Sequence, residues 1–432
     1  MQRAAILSVL VLLASVCQLS CGKSGEPEPA AGPTAPTEPA GPEPAEPAEP
    51  APTEQVGAAE LTTLTASNTR FALDLYRKLA SEDGNIAFSP VSVSFALAMT
   101  YAGARGETAA EMKSTLHFEQ QPDKVHAGFA DLLRKLTSSA DYELAVANRL
   151  WGDKASKFLP AFLDLTEKYY GAPLAEVDFR GDPDGARVAI NEWVAKQTRD
   201  KIEELLKPGI ITAITRLVLT NAIYFKGKWE EEFEEEMTKD GPFYTPKGKV
   251  EVPMMHQLEG FSIHSDDSLQ VLELPYKGGN VVMYVFLPRA RDGLPALEKS
   301  LDADSIQAWT GMMAREQVNV QLPRFEARSS FGLKPMLEAL GMKLAFSDAA
   351  DLSGMNGAKD LFITAVVHEA YVKVDEEGSE AAAATAVVVG EKAARPQKPA
   401  DFIADHPFLW SIYDKKSSSI LFLGRVVDPR GA

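Results

Sequence analysis

Cysteine is nearly missing from this chain of 432 residues: the two present, Cys17 and Cys21, both precede residue 22. Everything beyond them lacks the thiols for a disulfide framework, a cysteine nucleophile or a thiolate metal site. Histidine is scarce too, with six residues at 117, 126, 256, 264, 368 and 406. The pairs nearest in sequence lack metal spacing, and His368-Glu369 stops short of a zincin motif because Val372 stands where a second ligand would follow. Basic residues are outnumbered, 44 Lys and Arg against 61 Asp and Glu, and the net charge of −17 argues against nucleic acid or an acidic membrane surface as partner. There is no G-x-S-x-G, no H-E-x-x-H, no Walker A and no G-x-G-x-x-G in a strand–helix setting, so no enzyme class finds its signature. Neither a metal nor a cofactor is implied.

What is present begins with a leader over residues 1–20. Arg3 precedes an apolar run at 4–16, and small and polar residues follow it up to Cys21, the layout of a secretory signal. The run is too short for a comfortable membrane span, which favours a cleaved leader over an anchor helix. Leu19-Ser20-Cys21-Gly22 resembles a bacterial lipoprotein acceptor, although Gln18 stands where that pattern prefers Leu. Lipidation at Cys21 is expected, with plain signal-peptidase cleavage as the alternative, so the protein is exported and touches a bacterial envelope membrane only through this lipid, or is secreted. Residues 21–60 read as a tether: ten prolines in repeating E-P-A, eight Glu against one Lys and no aromatics leave nothing to fold around. At ~3 Å per residue such a stretch reaches on the order of 100 Å.

The globular body is expected over 61–432, with the 45% apolar content of an ordinary globular chain. Phe71, Leu75 and Leu79 mark a helix over 68–80, and an apolar helix follows at 91–102. Further helices are expected at 190–207, 294–313 and 332–341, and strands at 216–225, 282–287, 318–322, 362–374, 408–413 and 420–427. The acidic run at 230–236 reads as a solvated face.

One stretch, residues 375–392, reads D-E-E-G-S-E-A-A-A-A-T-A-V-V-V-G-E-K. Four alanines favour helix while the following Thr and Val favour strand, and on composition alone this is an Ala-rich linker or helix. With period two, Ser379, Ala381, Ala383, Thr385, Val387 and Val389 form a small, uncharged face that a sheet could bury. After Glu380 the other face offers no bulk or charge until Glu391. A loop of roughly thirty residues between strands of a compact domain is usually functional.

The run E-E-G-S-E-A-A-A-A-T resembles the hinge of a serpin reactive-centre loop, and D-H-P-F-L-W-S-I-Y with I-L-F-L-G-R-V-V-D-P resembles a serpin C-terminus. N-I-x-F-S-P-x-S (Ser89, Ser92), A-N-R-L-W (Asn148), L-T-N-A-I-Y-F-K-G-K-W (Asn221, Trp229) and V-V-H-E-A (His368) occur in the family's order. Each alone reads as an ordinary capping or surface polar residue; together they resemble the serpin shutter and breach, to which Arg324 is added as a cation expected to pair with Glu376. The resemblance spans residues 64–429. It implies an α+β serpin fold with a large central, mostly antiparallel β-sheet, additional sheets, about eight or nine helices and an exposed reactive-centre loop. It implies a hinge made of Glu376, Glu377, Gly378, Ser379, Glu380, Ala381, Ala382, Ala383, Ala384 and Thr385. It implies a monomeric non-enzyme, held short of its most stable arrangement, that inhibits a trypsin-like serine protease irreversibly as a suicide substrate. Counting the first hinge Glu as one, the seventeenth residue is Lys392, which puts the reactive bond at Lys392–Ala393. Arg395 competes, but Pro396 follows it and removes the N–H that a leaving group would present. After cleavage the segment from Ser379 to about Gly390 is expected to enter the sheet, Ser379 being the first side chain buried. The alternatives are inhibition of a cysteine protease and a non-inhibitory serpin acting as a binding module.

Overall fold

A computed structural model describes residues 56–379 and 398–431. Cys21, Glu380, Ala381, Ala382, Ala383, Ala384, Thr385, Lys392 and Ala393 lie outside the described residues, as do the leader and the tether up to residue 55.

In chain order the helices are α1 (Ala58–Leu79), α2 (Pro90–Gly103), α3 (Gly106–Thr115), α4 (Pro122–Thr137), α5 (Pro160–Tyr170), α6 (Pro183–Gln197), α7 (Leu294–Ser300), α8 (Ala303–Gly311), α9 (Lys334–Ala339) and α10 (Ser353–Asn356). The strands are β1 (Ile86–Phe88), β2 (Tyr142–Asp153), β3 (Ala175–Val177), β4 (Leu217–Lys228), β5 (Lys239–Thr245), β6 (Gly248–Ser265), β7 (Leu269–Pro275) and β8 (Val281–Pro288), followed by β9 (Ala314–Pro323), β10 (Phe325–Gly332), β11 (Ile363–Val374), β12 (Gly378–Ser379), β13 (Ala400–Ile403), β14 (Phe408–Asp414) and β15 (Ser419–Val426). Ten α-helices among the described residues slightly exceed the expected number, the shortest being one turn at Ser353–Asn356.

Two sheets organise the body. Nine strands run in the order β1-β15-β14-β8-β7-β6-β9-β13 with β5 on β6, and six run β10-β11-β4-β2-β3 with β12 on β4. The second sheet is mixed: β10–β11, β2–β4 and β12–β4 are antiparallel, β11–β4 and β2–β3 parallel. Helix α2 touches β15 of one sheet and β2 and β4 of the other. That position explains a helix apolar on every side, whose polar residues Ser92, Ser94 and Thr100 are all buried. Among the described residues no helix is long and apolar enough to cross a membrane.

Three expected helices change their bounds, for local reasons. Helix α1 starts at Ala58, ahead of the expected body, because Leu61 and Leu64 already extend the buried stripe. The helix expected at 190–207 begins at Pro183, where Asp182 accepts the Gly185 N–H and proline occupies the first turn. It ends at Gln197, since Arg199 and Asp200 take left-handed φ of 51° and 59°. The helix expected at 294–313 is two, because Asp302 caps Ser305 N–H and the Ser305 hydroxyl answers it, starting α8 afresh.

Candidate functional site

The described end of the loop turns back on itself directly after β11. Asp375 N–H donates to Gly378 O at 2.9 Å and Gly378 N–H returns to Asp375 O at 3.3 Å, with Glu376 and Glu377 at the tip. Gly378 has φ +146°, and a Cβ there would stand 2.1 Å from Gly227 O, so only glycine fits. Past the turn, Gly378 and Ser379 pair antiparallel with Lys228 and Gly227 of β4.

Strands β4 and β11 are parallel neighbours from Ile363↔Leu217 to Tyr371↔Tyr224, after which β4 takes β12 as its partner. Thus β12 starts where β4 and β11 part company. An antiparallel strand continuing from Ser379 would run down the seam between them and could pair with both. The expectation that Ser379 is buried only after cleavage needs correction: Ser379 is already fully buried. Its hydroxyl lies 2.7 Å from that of Tyr276, which stacks on Trp229 with ring centres 4.4 Å apart.

The turn is tied down on both sides. Trp229 Nε1 donates to Asp375 O at 2.9 Å, Trp229 N–H to Glu377 O at 2.9 Å and Phe233 N–H to Glu376 O at 2.8 Å. Glu376 is buried, and its carboxylate accepts from Arg324 Nε at 2.6 Å and from the Thr238 hydroxyl. Glu377 faces Lys228 Nζ at 3.6 Å. A cavity of about 380 Å³ opens beside these groups, lined by Arg324, Lys373, Asp375, Glu376 and Glu377 among others.

Lower in the same seam sits a polar cluster. Ser89 caps α2 by accepting the Ser92 N–H at 3.3 Å. The Ser89 N–H donates to His368 Nε2 at 3.0 Å, which requires a lone pair there, so the proton is on Nδ1 and is donated to Asn221 Oδ1. Complete burial agrees, pushing the His368 pKa down to about 3 and keeping the ring neutral. The Asn221 amide in turn donates to Ser92 Oγ at 2.7 Å and to Asn148 Oδ1, and Asn148 returns a bond to Ser92 O at 3.2 Å. Since Asn221 and His368 face each other across β4 and β11, this cluster bridges the line along which a new strand would enter.

The geometry therefore brings Ser89, Ser92, Asn148, Asn221 and His368 into one cluster, and Trp229, Arg324, Glu376, Glu377, Gly378 and Ser379 into another. Sequence reasoning missed Tyr276 and Thr238. Tyr276 had a signal, the P-Y-K-G-G-N turn between two apolar strands; Thr238 had none.

A family model described as Serpin (serine protease inhibitor) matches residues 66–429. The leukocyte elastase inhibitor of Bos taurus is 47% identical over 378 residues, covering 85% of this chain and 99% of that protein. Serpin B3 of Homo sapiens is 41% identical over 391 residues, covering 85% and 100%. Among solved structures, uncleaved ovalbumin superposes with a TM-score of 0.78 at 32% identity, covering 85% of this chain and 100% of that one.

Proposed function

This chain belongs to the serpin family, and on that footing we propose that it is a suicide-substrate inhibitor that traps a trypsin-like serine protease at Lys392–Ala393. The observation that carries this reading is the pairing of Gly378 and Ser379 with β4 at the point where β4 and β11 separate. It supports a loop whose first residues are already seated in the seam that the rest would fill.

In this mechanism the protease serine attacks the Lys392 carbonyl, the Ala393 amine leaves with the serine's proton, and an acyl-enzyme remains. Lysine suits an acidic specificity pocket. The freed segment up to about Gly390 then zips between β4 and β11, twelve residues spanning roughly 40 Å. At ~1 kcal/mol net per hydrogen bond, insertion gains on the order of 10 kcal/mol, comparable to the stability of a whole domain. That is enough to drag the bound protease across the molecule and distort its oxyanion site before water releases it.

A second reading draws on the Bos taurus relative, which is named a leukocyte elastase inhibitor. An elastase-type enzyme would cut beside a small aliphatic residue, and Val387 to Val389 supplies three. The count of residues from hinge to bond that the family pattern implies favours Lys392. Incubation with trypsin should give an SDS-stable complex and a released peptide beginning at Ala393. A peptide beginning after a valine, formed with elastase alone, would select the second reading, and cleavage without any stable complex would remove both.

The leader and tether support delivery outside the cytoplasm, with the inhibitor held off a bacterial envelope membrane by a lipid on Cys21. Metabolic labelling with a fatty acid, abolished by Cys21→Ala, tests that arrangement.

A further inference from the structure

The register of the seated hinge sets where a trapped ester would come to rest. Gly378 pairs with Lys228 and Ser379 with Gly227, antiparallel. Each further loop residue that enters advances one residue down β4, so Val389 would come opposite Leu217, where β4 begins. Lys392 would then leave the sheet ~10 Å beyond Leu217, level with Ile214.

At that level the chain makes a turn. Ile214 is 71% exposed, more than any other large apolar side chain among the described residues. Thr212 and Ala213 beside it are exposed as well. The turn is nonetheless firmly held. Thr215 is fully buried, its N–H donates to Thr212 O at 2.9 Å, and its hydroxyl accepts the Thr212 N–H at 3.0 Å. Arg216 Nη1 donates to Ala213 O at 3.1 Å and to Thr215 O at 2.9 Å, and Arg216 O accepts the Asp153 N–H of β2 at 3.1 Å. None of these bonds involves β11, so they keep the turn with β4 and β2 when a strand parts β4 from β11. The Arg216 N–H also reaches the Thr364 hydroxyl of β11 at 3.1 Å, a link that entry would break. Single exposed apolar residues are ordinary on a protein surface; what sets Ile214 apart is its level in the register. Fixed on a tied turn, it can be buried against a partner at little cost in entropy.

We propose that the turn at 212–216 is the seat of the trapped protease, with Ile214 as its apolar contact, and that burying Ile214 there prolongs the life of the ester. The ester ends when water attacks the Lys392 carbonyl. One water proton then goes to the departing serine oxygen, the other to solvent, and Lys392 is left as a carboxylate. A protease held against Ile214 is kept in the distorted form whose oxyanion site does this slowly.

This rests on the loop-insertion reading, but its test reads a later step. Wild type, Ile214→Glu, Ile214→Leu and Met312→Glu are each reacted with trypsin. The covalent complexes are purified without denaturant and the return of trypsin activity is timed. Met312 is a second exposed apolar residue, 56% exposed and just ahead of β9 in the other sheet. Ile214→Glu should release active trypsin at least about fivefold faster, because a charge resists burial at the contact. Ile214→Leu and Met312→Glu should release it at the wild-type rate. Release from Ile214→Glu at the wild-type rate overturns the inference, and so does equal acceleration by Met312→Glu. A change confined to inhibitor consumed per trypsin trapped places Ile214 in loop entry and overturns it too. Uncut Ile214→Glu should melt with wild type, and a fall of several degrees would make Ile214 a folding residue instead. Wild type that is cut but traps no trypsin removes the insertion reading, whereas complexes that form and last equally long remove this inference alone.

Discussion

The hydroxyls of Tyr276 and Ser379 meet at 2.7 Å inside the protein, 103 residues apart in sequence, and neither side chain reaches solvent. Neither hydroxyl makes another side-chain hydrogen bond among the described residues, so removing one leaves the other buried and unpaired, which costs about 1–3 kcal/mol. Removing both takes away donor and acceptor together. Tyr276→Phe and Ser379→Ala should each lower stability by ~1 kcal/mol or more, and the double variant by clearly less than their sum. Thermal melting of the four proteins measures the coupling; strict additivity would mean that the contact does not hold the hinge.

Arg324 and Glu376 form a pair of unequal exposure, the guanidinium 40% exposed and the carboxylate 4%. An exposed ion pair contributes ~0–1 kcal/mol, but loss of the arginine here strands a buried carboxylate with the Thr238 hydroxyl as its remaining side-chain donor. Arg324→Met should therefore cost about 1–3 kcal/mol, several times the cost of Arg70→Met, whose pair with Glu119 is exposed on both sides. Adding Glu376→Gln should recover part of the loss. Equal effects for the two arginines would show that the hinge does not depend on this pair.

Much of this site is legible in the sequence, though not all of it. A run of small residues after E-E-G-S marks a segment that a sheet can accept, because size and charge are properties of the residues themselves. The polar cluster is legible only as an ordered set of motifs: nothing in N-I-A-F-S-P says that the Ser89 N–H will find His368, 279 residues away. Thr238 stays hidden because it contributes through one contact 138 positions away, and the turn signal at Tyr276 says nothing of the Ser379 hydroxyl that its own will meet. That Gly378 and Ser379 are already seated could not be read, since it depends on where β4 and β11 diverge. Nor could the break at Asp302, where a capping bond outweighs a continuous apolar pattern.

Acidification should destabilise the fold. The His368 pKa falls from 6.5 to about 3 and that of His126 from 6.5 to about 4, burial being the main cause in each case. Below pH 6.5 the unfolded chain binds protons that these folded imidazoles refuse, so stability is full above that value and falls as pH drops toward 4 and 3. Each group contributes a slope of at most ~1.4 kcal/mol per pH unit. The lowered carboxylates Asp266 and Asp351, at about 2, act only further down. Melting between pH 7 and 5 should thus decline, and His126→Phe should reduce the slope. A flat profile over that interval would contradict the burial of neutral imidazoles.

Cutting the loop gives the most direct test of what the seam is for. With β12 already paired to β4, a segment freed by a cut at Lys392 would start from residues whose register is set. If the remainder zips in, on the order of ten new hydrogen bonds at ~1 kcal/mol each are gained by the cut form. At roughly 2 °C or more per kcal/mol the nicked protein should melt on the order of 20 °C above the intact one. Ser379→Arg places a guanidinium where a fully buried hydroxyl now sits beside Tyr276, so its hinge cannot enter and nicking should leave its melting temperature unchanged. The same variant should be cut by trypsin as a substrate without forming an SDS-stable complex. Equal heat resistance before and after nicking of the wild type would mean that the parallel β4–β11 pair is a finished sheet with no place for a further strand, and the turn at 375–379 only its border.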